Sequence, residues 1–139
     1  MNLRALALGV LVAVSPLSFA AEAPVGKTTA KDVSKTIRGY TVTQRDEAVK
    51  SAKAAMDELD ASIRRLERKT ASEWDKMDEA ARRKARAALD ALRRQRNEVA
   101  EWYGGLKHSS AEAWDEVKNG FSKSYEALTG AFGRARKAF

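Results

Sequence analysis

The chain has 139 residues, with 26 Lys and Arg against 19 Asp and Glu, one histidine and no cysteine, for a formal charge of +7. The length fits a single domain. The lack of cysteine excludes disulfide staples and thiol chemistry, so stability has to come from packed helices or from association.

Met1-Asn2-Leu3-Arg4 is a short positive segment, Ala5 to Val14 is apolar, and Ser15-Pro16 breaks the run. Ser18-Phe19-Ala20 then places small residues three and one before a cut at Ala20/Ala21, the anatomy of a secretory signal peptide. An apolar stretch of about ten residues is too short to span a bilayer, which takes roughly twenty. A cleaved leader over residues 1–20 and a periplasmic product are therefore expected. Loss of Arg4 lowers the charge from +7 to +6. No Cys follows the apolar run, so a cysteine-linked lipid is excluded.

Residues 21–44 contain Pro24, Gly26 and Gly39, with Thr28, Thr29, Ser34, Thr36, Thr41 and Thr43 among sparse apolar positions. That composition predicts a flexible linker. A short helix near Asp32–Arg38 is the alternative.

The helical domain is expected over residues 45–139. From Arg45 to Tyr103 there is no Gly or Pro in 59 residues. Val49, Ala52, Met56, Leu59, Ile63 and Leu66 step 3-4-3-4-3, the seam of a coiled coil. Beyond Thr70 the heptad gives way to an eleven-residue spacing in Leu66, Met77, Ala88 and Val99, and in Ile63, Trp74 and Ala85. Thr70-Ala71-Ser72-Glu73 reads as a capping box and offers a break at 69–72. The apolar phase runs through that site and no Gly caps it, so one long helix is the expectation.

Gly104-Gly105 suits a helix end, and Ser109-Ser110-Ala111-Glu112 suits a restart. A C-terminal helix over about 110–138 then carries Trp114, Val117, Phe121, Tyr125, Leu128 and Phe132 at helical spacing. Its bulky residues face an Ala-rich seam, which predicts an antiparallel hairpin packed through Trp74, Met77, Leu92, Val99, Trp114, Val117, Phe121, Leu128 and Phe132. The fold class is all-α. A continuous helix would extend about 88 Å against about 45 Å for the returning one, leaving Val49, Met56, Leu59, Ile63 and Leu66 uncovered. That stripe predicts self-association with a second copy or pairing with another helix.

Two segments resemble a family of small exported bacterial helical proteins of the coiled-coil, stress-response type, with an apolipoprotein-like helical pattern. They are Met56-Asp57-Glu58-Leu59-Asp60-Ala61-Ser62-Ile63-Arg64-Arg65-Leu66 and Ser110-Ala111-Glu112-Ala113-Trp114-Asp115-Glu116-Val117-Lys118-Asn119-Gly120-Phe121. The resemblance covers most of residues 45–139 and implies an envelope location and a stress role, with no known reaction.

Chemistry-bearing clusters are scarce. His108 is the sole histidine, in the expected turn, with no cysteine or second histidine to join it at a metal. Asp46/Lys50, Asp60/Arg64, Asp78/Arg82, Glu79/Arg83 and Asp90/Arg94 are spaced as helix-surface ion pairs. No catalytic residue, cofactor, metal or small-molecule substrate is expected. Residues 61–96 hold twelve cations against six acids. Such a helix would attract nucleic acid, but export argues against that partner, leaving anionic lipid or lipopolysaccharide phosphate beside plain solvated surface. On the terminal helix, Phe132, Arg134, Arg136, Lys137 and Phe139 form a candidate membrane contact, although Gly120, Gly130 and Gly133 favour close packing on a neighbouring helix. The expected role is a non-enzymatic periplasmic coiled-coil protein acting by helix association in envelope maintenance or stress. The alternative is a peripheral binder of anionic lipid or lipopolysaccharide through the terminal helix.

Mass measurement of protein recovered from a periplasmic extract is expected to give a chain beginning at Ala21; an intact Met1 or Asn2 terminus would refute the leader.

Overall fold

The computed structural model describes residues 27–138, so the leader, residues 21–26 and Phe139 lie outside the described residues. Four α-helices follow one another: α1 Lys27–Gly39, α2 Arg45–Glu73, α3 Glu79–His108 and α4 Trp114–Lys137. A 3-10 turn over Val42–Gln44 joins α1 to α2, and another over Trp74–Lys76 precedes α3. There are no strands among the described residues, and the fold class is all-α, with long helices and an antiparallel C-terminal helix packed against them.

Contacts fix the topology. Trp102 of α3 lies on Gly120 of α4, and Val117 of α4 lies on Gly105 of α3, so these two run antiparallel. Asp60 of α2 pairs with Arg96 of α3, again antiparallel. Ser34 and Ser122 exchange side-chain-to-carbonyl hydrogen bonds of 3.3 and 3.4 Å, and Lys118 reaches the Arg38 carbonyl, so α1 runs antiparallel to α4. The result is an up-down-up-down bundle. Phe121, Leu59, Leu92, Leu106, Leu128, Val99 and Ile37 are its largest fully buried apolar side chains.

The linker expected over 21–44 is corrected for residues 27–39. Ala30, Ser34 and Ile37 occupy one helical stripe, and all three are buried. Each is small or singly apolar, which hides the periodicity in the sequence, yet α4 supplies the missing surface. Asp32–Arg38 lies within this helix.

The single long helix is also corrected. The break falls at residues 74–78, just past the 69–72 alternative. Thr70 Oγ1 donates to the Leu66 carbonyl and Ser72 Oγ to the Lys69 carbonyl, each at 2.8 Å, competing with the helix ladder near its end. Met77 is then extended, and Asp78 caps α3 by accepting the Ala81 N–H at 2.7 Å. The spacing of Asp78 to Arg82 suggests a surface pair, but the Asp78 side chain caps α3 instead. The eleven-residue spacing therefore crosses a turn.

With the chain folded back there, the predicted seam closes internally. Leu59, Ile63 and Leu66 are 1%, 5% and 6% exposed, while Val49 and Met56 are half-buried at the edge of the same core. The uncovered stripe that motivated self-association through these residues is not present.

At the other turn, Gly104 and Gly105 do not end α3, which runs on to His108, and neither glycine has positive φ. Gly105 instead admits Val117. Ser110 Oγ accepts the Ala113 N–H at 3.2 Å, and α4 starts at Trp114, a turn later than expected.

Of the predicted packing residues, Leu92, Val99, Trp114, Val117, Phe121, Leu128 and Phe132 are buried, but Trp74 and Met77 sit half-exposed in the α2–α3 turn. The glycine argument holds at Gly120, where a Cβ would come within 2.5 Å of the Trp102 ring. It fails at Gly133, which has open space, and Gly130 meets only the tip of Arg134. Among the predicted surface pairs, Glu79–Arg83 forms at 3.9 Å; Asp90 pairs with Arg93, and Asp60 with Arg96 instead of Arg64.

Thermal melts followed by helical circular dichroism are expected to rank three variants. Trp114→Ala loses about 3–5 kcal/mol. Gly120→Ala loses about 1–3 kcal/mol by overpacking against Trp102. His108→Ala, exposed at the end of α3, stays within about 0.5 kcal/mol. Equal melting points would refute the packing described.

Candidate functional site

The two ends of the bundle differ in chemistry. At one end the α1–α2 and α3–α4 turns meet in a polar clasp. Lys118, buried in the middle of this end, donates through Nζ to the Arg38 and Tyr40 carbonyls, both at 2.9 Å, and pairs with Asp115 at 3.3 Å. Trp114 Nε1 donates to the same Tyr40 carbonyl at 2.9 Å. Arg45 lies over the Trp114 ring, 5.8 Å from its centroid, and donates to the Ser109 carbonyl. Lys118 thus brings a cation to the last carbonyls of α1, the end where the helix dipole favours one. Lys118 and Trp114 of this end both reach the carbonyls that close α1, so the cluster locks α1 to α4. His108, nearby in sequence, is exposed.

The core beside the clasp carries one perturbed group. Burial pushes the Tyr125 hydroxyl above its ordinary range, and the Glu58 carboxylate adds to the rise.

The opposite end is cationic. The α2–α3 turn places Arg64, Arg65, Arg68 and Lys69 on the last turns of α2, and Arg82, Arg83, Lys84 and Arg86 on the first turns of α3. The antiparallel register set by Trp102–Gly120 and Gly105–Val117 carries Arg134, Arg136 and Lys137 of α4 to the level of Ala85–Ala88. Two basic segments that are far apart in the sequence therefore share one end. Among the described residues, Arg64, Arg68, Lys69, Lys84, Arg86, Arg134, Arg136 and Lys137 form no ion pair. Acids occur at both ends, Asp46, Glu47, Glu112, Asp115 and Glu116 at the clasp and Glu67, Glu73, Asp75, Asp78 and Glu79 at the cationic end, so the polarity along the bundle lies in the excess of cations at the latter.

At the cationic end Trp74 is flanked by the guanidinium groups of Arg82 and Arg86, 5.5 and 4.9 Å from the ring centroid. Arg82 Nε also donates to the Trp74 carbonyl at 3.1 Å. Beside the ring lies an open groove of about 430 Å³ between α2 and α3, lined by Glu67, Thr70, Ala71, Trp74, Asp75, Leu89 and Arg93.

The predicted membrane contact on α4 is divided by the structure. Phe132 is 6% exposed and belongs to the core, whereas Arg134, Arg136 and Lys137 are exposed, and Phe139 lies outside the described residues. With its aromatic stripe buried, α4 cannot lay an apolar face on a bilayer while the bundle is closed. The spacing of Trp74 continues the core pattern of α2, which hides its surface position in the sequence. Among the described residues, no helix is long and apolar enough to cross a membrane. Comparison with protein families, characterised proteins and solved structures finds no match.

Replacing Lys118 by Met removes the cation that holds α1. Hydrogen–deuterium exchange is expected to speed up in Ala30–Gly39 by about tenfold or more, as the loss of a charge-assisted hydrogen bond implies. Exchange in the middle of α3 should stay slow. Equal acceleration in both helices would show that Lys118 supports the whole core.

Proposed function

We propose that the protein is an exported, non-enzymatic helical bundle of the bacterial envelope, serving envelope maintenance or stress by binding an anionic, phosphate-bearing membrane surface. The observation that carries this reading is the gathering of unpaired cations from α2, α3 and α4 at one end. Cations near an anionic bilayer gain about 1 kcal/mol each, so a cluster of this size is enough for reversible attachment. The same charge would draw nucleic acid, but Trp74 and Leu89 set among the cations suit the amphipathic boundary of a bilayer better than a duplex backbone. The leader expected over residues 1–20 and the resemblance to exported helical proteins support the compartment. The cationic surface takes over the membrane role expected of α4 alone. Helix association through the α2 seam loses its support, since the core already fills that seam.

Vesicle flotation tests the reading. Purified protein should float with vesicles of phosphatidylglycerol in phosphatidylcholine at low salt, and much less at high salt. It should stay at the bottom with phosphatidylcholine alone. Changing Arg134, Arg136 and Lys137 together to Gln should reduce flotation without lowering helicity. Equal flotation on neutral vesicles, or none on anionic ones, would overturn the proposal.

A further inference from the structure

The cationic surface continues past the end of the bundle, along α1. Ala30, Ser34 and Ile37 are buried, and Lys31, Lys35 and Arg38 each follow one of them by one position and are exposed. That offset, about 100° around a helix, puts the three cations on one flank of α1. The flank is the one toward α4. Tyr40, on the opposite flank with Val33, hydrogen-bonds Ser51 of α2 at 3.1 Å, whereas Ser34, nearer the cations, meets Ser122 of α4.

On α4, Lys118 and Ser122 turn toward α1, and Val117 and Gly120 turn toward α3. Lys123, Arg134 and Lys137 therefore fall on the outer side between these neighbours, and all three are exposed. Neither they nor the α1 cations form an ion pair among the described residues. The acids nearest them are Asp32 of α1 and Glu116 and Glu126 of α4, with Asp115 held by Lys118. Together α1 and α4 carry nine cations against four acids, whereas α2 carries seven of each, so α2 as a whole gives an anionic surface no net pull. Arg38 lies at the level of Lys118, about 28 Å along α4 from Lys137.

We infer that the bundle meets an anionic bilayer through its α1–α4 face as well as its cationic end. It then lies along the surface, with the clasp-end half of α2 turned away. This rests on the membrane-surface reading above and adds the orientation, which the end cluster alone does not fix.

The cysteine-free chain allows the test by single labels. A polarity-sensitive nitrobenzoxadiazole group is attached at Asn119→Cys or at Ala54→Cys. Both positions are exposed and level with Trp102, as the Gly120–Trp102 contact and the Asp60–Arg96 pair show. They are thus equally far from the cationic end, on opposite sides of the bundle. On vesicles of phosphatidylglycerol in phosphatidylcholine, the label at Asn119→Cys should brighten and be quenched by spin-labelled lipid. The label at Ala54→Cys should do neither. Lys31→Gln combined with Lys35→Gln should weaken vesicle binding about tenfold or more, the loss of two cations near the surface. Lys50→Gln combined with Lys53→Gln, the same charge removed from α2, should weaken it far less. The label pair leaves α1 unaltered and decides the orientation even if the α1 variant loses helicity.

Unchanged emission at both labels while the protein still floats overturns the lying orientation and leaves attachment by the end alone. Equal changes at both labels, or equal losses from the two double variants, overturn it as well, leaving only net charge. If the unaltered protein does not float, the surface reading fails and the face fails with it.

Discussion

The bundle depends on the width of the apolar face of α4. Trp114, Val117, Phe121, Tyr125, Leu128, Phe132 and Ala135 form one stripe, and Lys118, Ser122, Ser124, Thr129 and Ala131 are buried beside it. A single neighbouring helix covers only about a third of a helix surface, so a face this broad needs two. α3 takes one side, with Trp102 pressed on Gly120, and α1 takes the other through Ser34 and Ile37. α2 then closes over α3 and fills the remaining edge with Leu59, Ile63 and Leu66. Once α4 is enclosed, the hairpin of two helices expected from the pattern becomes a bundle of four.

Much of this was legible where periodicity was strong. The absence of Gly and Pro from residues 45–103, the aromatic spacing after Trp114 and the tight turn near residue 109 all correspond to real features. The failures have separate causes. Residues 27–39 carry too few apolar side chains to signal a helix, because the larger share of their packing surface comes from α4. The break at residues 74–78 contains neither Gly nor Pro; it is made by Thr70 and Ser72 turning back on the ladder and by Asp78 capping the next helix. Trp74 kept the phase of the core although the chain was already leaving it. Gly104-Gly105 carried the opposite message, a stop signal overridden because Val117 needed the space beside Gly105.

The candidate site was legible in composition and not in place. The basic excess of residues 61–96 and the cations after Phe132 were visible as two separate signals. Their convergence at one end comes from the register of α3 against α4, which Gly120 fixes by accepting Trp102. The gathering of Arg82 and Arg86 on Trp74 was invisible for the same reason, since these side chains meet only after the chain turns at Met77. Charge pattern along a helix gives the field of a protein; which groups share a groove is decided by the turn.

The reciprocal hydrogen bonds of Ser34 and Ser122 join residues 88 positions apart. A contact that distant in sequence closes late, because the loop entropy has to be met before the contact can contribute. α1 comes first in the chain and α4 last, so α1 has only its smaller contact with α2 until α4 is in place. α2 and α3 can form their antiparallel pair earlier, through local contacts about a single turn. The first helix is therefore held only loosely while the chain folds, and the bundle becomes one cooperative unit only when its last helix docks.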